Sequence, residues 1–377
     1  MPVDNQFAHQ CYSAQPPVAP YELLAVGSQP RIGSPEYVQR MESAGRSLKS
    51  SDVGAIVLLH GTFIGYDPTG FNTMLFSMVP PLKRLAYRLT KASLDMVLRD
   101  VGNYSKSSVR RLASHLHTDH SIQVHRFIWS GMNNHAGRAV AAVRLIDFLV
   151  GLKLPAGKRI LLCGHSHGGN VLALLTNLLA ENRGGVAEFV AAIDGYAHKI
   201  DKRWPDIKSL VQSPARPLKK NPLDLVTLGM PIRYGFESTG YERLMHFVNH
   251  RPRHRLPEYR VARAGSLRAL FPSLHCDFVQ QLGVAGSNSP NPFDGTMWTA
   301  DRRLAKLLEP GFSCWSLSRQ IRKGMLVPEE GQTLLVDYEQ SAFQWLRHMW
   351  GHLIYTRSHR MLFHIEQIVR CFYASAD

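Results

Sequence analysis

Acidic side chains are scarce in this sequence: 29 Asp and Glu stand against 44 Lys and Arg across 377 residues, leaving a formal net charge of +15. An excess of that size suits an anionic partner such as a membrane surface, acidic lipid or nucleic acid, and equally suits a plain soluble basic surface. Cysteine is also rare. The five residues at positions 11, 163, 276, 314 and 371 are odd in number and scattered. No C-x-x-C pair occurs among them, which argues against a zinc knuckle or a disulfide framework and for a reducing compartment. Long apolar runs are missing, and none would span a bilayer. The opening stretch MPVDNQFAHQCYSAQPP has neither a basic start nor an apolar segment, so no secretory signal is read there. These absences lead to an expectation of a soluble, cytoplasmic protein, with peripheral membrane attachment left open by the charge.

Apolar residues, by contrast, are plentiful at 45%, enough for one large α/β domain with insertions or for two small domains. The most informative stretch is RILLCGHSHGGNVLALLTNLL, Arg159 to Leu179. The apolar run Ile160 to Cys163 reads as a buried strand, and Val171 to Leu179, stopped by Asn182-Arg183-Gly184, reads as a helix. Between them lies Gly164-His165-Ser166-His167-Gly168-Gly169. A strand that turns directly into a helix has no room for side chains two positions either side of its apex. The apex residue is forced into a strained conformation with its side chain held in the cleft. A serine there has the helix amino terminus behind it, and the N–H of His167 points at the same spot.

This G-x-S-x-G turn, with a strand before it and a helix after it, resembles the nucleophile elbow of the α/β-hydrolase superfamily on its lipase and esterase side. The resemblance implies a doubly wound, mostly parallel sheet with helical insertions, with Ser166 as the nucleophile. The strand Ala55 to Leu59 runs into His60-Gly61-Thr62-Phe63. By the same resemblance, an early His-Gly supplies a second oxyanion-hole amide, assigned to Thr62 or Phe63 alongside His167. His60, Gly61, Gly164 and Gly168 would shape the two turns.

The remaining pattern fits a strand–helix alternation. Strands are expected at Ile122 to Trp129, Asp224 to Pro231, Arg243 to Asn249 and Gly331 to Tyr338. Helices are expected at Asn133 to Leu152 and Met361 to Phe372. Val186 to Ile193 is apolar and fits either. Residues 1–50, rich in Pro, Ser and Gly, read as an extended arm with a short strand near Tyr21 to Val26, ahead of a hydrolase domain at 51–377. Residues 64–121 are too long for a simple connection. Their Lys83, Arg84, Arg88, Lys91 and Arg99, interleaved with apolar residues, suggest basic amphipathic helices, either a lid-like insertion or a solvated face. A second, arginine-rich insertion spans about 250–273; it matches no nucleic-acid motif, so no specific nucleic-acid partner is expected.

In α/β-hydrolases the acid and the base follow the serine in that order. His348, His352, His359 and His364 all lie after the last strand. The resemblance favours His352, because Trp350-Gly351-His352 resembles the family's histidine loop. For the acid, no carboxylate directly follows Asn249, a departure from the family pattern. Asp277 in Leu274-His-Cys-Asp-Phe-Val is the best match, with Asp294 next and Asp337 after it. The resemblance thus implies a Ser166–His352–Asp277 esterase acting on an ester or lipid, with no metal and no organic cofactor. Two rival readings stand beside it. His115, His117, Asp119 and His120 spell the H-x-H-x-D-H of zinc hydrolases, although a helix rather than an apolar strand precedes them. A basic lipid-binding protein on a hydrolase fold without chemistry is the other.

Overall fold

Seven strands form one sheet: β1 (Tyr21–Ala25), β2 (Val53–Leu59), β3 (Gln123–Phe127), β4 (Arg159–His165), β5 (Leu223–Leu228), β6 (Arg243–Asn249) and β7 (Gln332–Asp337). Their spatial order is β1-β7-β6-β5-β4-β2-β3, and every neighbouring pair is parallel. The computed structural model describes residues 7, 16–76, 80–116, 121–251, 257–260, 276–280, 288–310 and 326–374. The central strands are apolar along their length because both sheet faces are covered, as parallel sheets require. Alternate residues go to opposite layers. Ala55, Val57 and Leu59 of β2 pack with Ile160 and Leu162 of β4 on one side, while Ile56 and Leu58 pack with Leu161 and Cys163 on the other.

The first layer is built by α5 (His135–Gly151), α6 (His167–Leu179), α7 (Val186–Ile200), α8 (Trp204–Gln212) and α9 (Gly295–Leu308). The second is built by α1 (Pro35–Ser50), α4 (Lys106–Leu116) and α11 (Met361–Ile368), the last continued by a π-helical turn at Val369–Tyr373. Two further helices, α2 (Phe71–Phe76) and α3 (Pro80–Leu98), lie with α4 between β2 and β3, where the long insertion was expected. A short α10 (Ala342–Arg347) precedes the last histidine-rich loop. No described helix is long and apolar enough to cross a membrane.

The described part of residues 1–50 is not extended throughout: the short strand expected near Tyr21 to Val26 is Tyr21–Ala25, an edge strand pairing with β7, but Pro35–Ser50 is a helix. The Ser34-Pro35 pair that suggests a breaker instead starts the helix. The Ser34 side chain accepts from the Tyr37 amide, and Pro35 needs no hydrogen-bond partner in the first turn. Tyr37, Met41, Ala44 and Leu48 then fall on one buried face. The ambiguous Val186 segment is helical, since Phe189, Val190, Ile193 and Ala197 form a helical stripe against the core. Most of the 250–273 insertion lies outside the described residues.

A buried carboxylate fastens the end of the chain to the sheet. Asp224, fully buried on β5, accepts from Arg159 Nε at 2.9 Å and from the Tyr373 hydroxyl at 2.7 Å, with Arg243 at 3.6 Å. Removing one member of such a cluster leaves the other charges buried and uncompensated. Asp224→Ala should therefore destabilise the protein by about 3 kcal/mol, read as a shift in the urea midpoint; an unchanged midpoint would refute the anchoring role.

The order of strands also creates a switch point. From β2 the chain moves outward to β3, whereas from β4 it continues on the opposite side through β5, β6 and β7. Connections leaving β2 and β4 thus diverge at the carboxyl ends of these two strands, the place where open parallel sheets bind ligands.

Candidate active site

Ser166 lies at that switch point, directly after β4, with φ +53° and ψ −131°. Such a conformation is costly for a residue with a Cβ and persists only when its surroundings hold it. Here the Ser166 amide donates to Leu228 O and its carbonyl accepts from the Gly169 amide, both at 2.9 Å. The flanking glycines are required sterically. A Cβ on Gly164 would lie 2.7 Å from the backbone of Gly168, one on Gly168 would lie 2.8 Å from His60 O, and one on Gly61 would lie 2.7 Å from Ser166 Cβ.

His60 braces this arrangement. Its Nδ1 donates to Gly61 O at 2.8 Å, its Nε2 accepts from the Trp129 amide, and its carbonyl accepts from Trp129 Nε1 at 2.8 Å. Burial pushes its imidazole down to about 3, so it is neutral in the ordinary pH range.

His352 comes to Ser166 from a loop between α10 and α11. Three consecutive residues before it, Met349, Trp350 and Gly351, have positive φ, a backbone course that only dense bracing sustains. Asn249 Nδ2 holds Gly351 O at 3.0 Å, and Trp345 Nε1 holds Cys276 O at 3.0 Å. His165 Nε2 donates to His352 O at 3.1 Å. The result places His352 Nε2 2.8 Å from Ser166 Oγ. On the far side of the ring, Nδ1 lies 2.9 and 2.8 Å from the two carboxylate oxygens of Asp277. Asp277 is in turn held by the Tyr355 hydroxyl at 2.9 Å and by the Gln280 amide at 2.8 Å. Ser166, His352 and Asp277 are all nearly buried, at 6%, 4% and 1% exposure, so their mutual hydrogen bonds face little competition from water.

The other candidates are engaged elsewhere. Asp294 caps α9 and pairs with Lys199 at 3.0 Å, and Asp337 accepts from the Glu339 amide. His348 Nδ1 contacts Gln340 Oε1, and His364 Nε2 contacts the Tyr338 hydroxyl. His359 sits on a 3-10 turn before α11. Of the zinc-like motif, His115 lies on α4 with its Nδ1 3.3 Å from the Tyr37 hydroxyl, while His117, Asp119 and His120 fall outside the described residues.

The amides expected to hold an oxyanion are those of His167 and of Thr62 or Phe63. His167 opens α6, where a helix leaves its first N–H groups without intrahelical acceptors. Thr62 follows Gly61, which abuts Ser166. Phe63 does not belong with them: its amide donates to Gly131 O at 2.8 Å, so it is not available to an oxyanion. Burial, and then the guanidinium groups of Arg138 and Arg233, hold the His167 imidazole well below its ordinary value, although Arg233 is itself paired with Glu309 at 2.8 Å.

Tyr355, Gln280 and Asn249 complete the site and were not singled out in the sequence. Gln280 had a local signal, because Asp277 and Gln280 stand three apart, with Phe278-Val279 between them, the spacing at which a carboxylate caps a turn. Tyr355 had none, since its bond to Asp277 depends on how two distant loops meet.

No family model, curated protein or solved structure matches the chain.

Proposed function

We propose that this protein is a serine hydrolase of the α/β-hydrolase type that cleaves carboxylic esters, with an ester or lipid as substrate. The observation that carries this reading is the 2.8 Å contact between Ser166 Oγ and His352 Nε2, with Asp277 on the opposite ring nitrogen. A serine hydroxyl becomes a useful nucleophile when an imidazole takes its proton as it attacks. His352 accepts that proton on Nε2, and Asp277 holds the Nδ1–H tautomer and stabilises the imidazolium. The carbonyl oxygen, now anionic, is held by the amides of Thr62 and His167. His352 then protonates the departing alkoxide, leaving an acyl group on Ser166. Water, deprotonated by His352, attacks that ester, and His352 returns the proton to Ser166 Oγ as the acid leaves. The net charge of +15 suits a substrate presented at an anionic membrane surface.

Turnover of p-nitrophenyl esters of increasing acyl length, in wild type and in Ser166→Ala, tests the reading. Activity that survives unchanged in the variant would remove it.

Tyr355 acts here as a positioning residue. Its hydroxyl donates to Asp277 Oδ2 and accepts from the Asn249 amide at 2.7 Å. Tyr355→Phe should lower kcat by about tenfold, the cost of one hydrogen bond to a buried charge, with KM little changed. A variant with lower stability but wild-type kcat would show a purely structural role.

A further inference from the structure

Beside the residues around Ser166 lies a separate cleft of about 960 Å³, between α3, the start of α4 and the carboxyl end of β3. Its walls carry five cationic side chains: Arg88 and Lys91 from α3, Lys106 and Arg110 from α4, and Arg126 from β3. Among the described lining residues the only carboxylate is Asp95, and it is already fully engaged. Its Oδ1 accepts from Lys91 Nζ at 2.7 Å and from Asn103 Nδ2 at 3.0 Å, while its Oδ2 accepts from Arg126 at 2.6 Å. That leaves Arg88, Lys106 and Arg110, all exposed, with no carboxylate at ion-pair distance among the described residues.

Three cations facing one cleft, with no described carboxylate paired to them, work against the fold's own local preferences. Lys106 opens α4, where the helix dipole disfavours positive charge, and no acidic residue stands in its first turn. Lys106 and Arg110 also stand four apart on one helix, a like-charge spacing that weakens it. An anion in the cleft would reverse both penalties. The chemistry is that of a phosphoryl group: guanidinium forks match its oxygens in pairs, and a helix amino terminus adds backbone donors. Ser105 and Ser107, also in the lining, lie at that same terminus, with Ser105 Oγ capping the Ser108 amide.

The cleft is also much larger than a bare phosphate. Tyr66, Tyr87, Ala92, Met96 and Ile128 form the rest of its wall and offer an apolar surface to an organic group. We infer that this cleft binds a phosphate ester, its phosphoryl group held by Arg88, Lys106 and Arg110 and its organic part against the Tyr87–Met96 wall. The source is either a phospholipid headgroup or a soluble phosphate ester. Leu85, Leu89 and Met96, exposed at 52%, 58% and 73%, lie on α3, the helix that also carries Arg88, and would offer apolar contacts to acyl chains in the first case. This inference does not depend on ester hydrolysis at Ser166.

Titration calorimetry with glycerol 3-phosphate, and co-sedimentation with phosphatidylcholine vesicles with and without phosphatidic acid, measure the two sources separately. Arg88→Gln/Arg110→Gln should weaken whichever interaction occurs by about thirtyfold or more, since two charge-assisted contacts are lost. Arg88→Lys/Arg110→Lys, which keeps the charge, should lose less. A charge-matched control on α1, Arg46→Gln/Lys49→Gln, should leave binding within about threefold of wild type. Binding of glycerol 3-phosphate would assign a soluble ester, and binding confined to phosphatidic acid vesicles would assign a lipid. The inference is overturned if wild type binds neither, or if the control loses as much affinity as the cleft variant.

Discussion

Ser166→Ala should abolish covalent labelling by a fluorophosphonate probe and lower ester turnover by about four to six orders of magnitude, the scale seen when a triad nucleophile is removed. The size of the effect follows from how the three groups depend on one another. His352 Nε2 has a proton to accept only because Ser166 Oγ is 2.8 Å away, and the ring is oriented by the Asp277 carboxylate behind it. On the proposed mechanism, the groups left without the hydroxyl would support only slow attack by water. Alanine has the same Cβ as serine, so the strained turn at φ +53° should be retained and the variant should fold normally. Labelling that persists in Ser166→Ala would place the reactive group elsewhere. Loss of turnover on adding a chelator would then point to the His115, His117, Asp119 and His120 motif. A folded wild type that neither reacts with the probe nor hydrolyses esters would favour a binding protein on this fold.

A second large effect concerns pH. The protein should unfold cooperatively between about pH 6 and 5, well above the range in which its carboxylates titrate. Burial holds the imidazoles of His60, His165 and His364 down to about 3 and that of His246 to about 4. Burial also keeps His135 and His167 well below their ordinary value. In the unfolded chain each would titrate near 6.5. Below that value the unfolded state binds protons that the native state cannot, so stability falls as pH falls. One pH unit down, each such histidine costs about 1.4 kcal/mol. Together these approach the ~5–15 kcal/mol by which a typical domain is stable. Glu330 acts in the opposite direction. Burial raises its carboxyl to about 7, so it gains stability as pH falls from there toward 4.5, an offset of about 1–2 kcal/mol after allowing for its partial exposure. Tryptophan fluorescence and near-ultraviolet circular dichroism against pH measure the transition. A urea midpoint unchanged from pH 7.5 to 5 would show that these histidines become protonated without loss of structure.

The sequence by itself determined what is local. The apolar runs of β2, β4 and β5 could only be strands covered on both faces. The glycines around Ser166 announce a strand-to-helix turn, because each sits within a few residues of the backbone a Cβ would strike. Local reading failed where one dipeptide serves two purposes. Ser34-Pro35 looks like a breaker in a Pro-rich arm, yet it starts α1, and only the face that Tyr37, Met41 and Leu48 bury distinguishes the two.

Tertiary structure alone decided the contacts between distant segments. His352 lies 186 residues from Ser166 and 75 from Asp277, and no pattern within a window can relate them. A family resemblance pointed to His352 and Asp277, but their meeting depends on the strand order that brings the β4, β6 and β7 ends to one edge. The bond from Tyr355 to Asp277 is of the same kind. So is the exclusion of Phe63, whose amide is occupied because Gly131 approaches the same loop closely enough to accept from it. Whether a backbone donor is free is a property of its neighbours in space, and neighbours in space are set by the sheet.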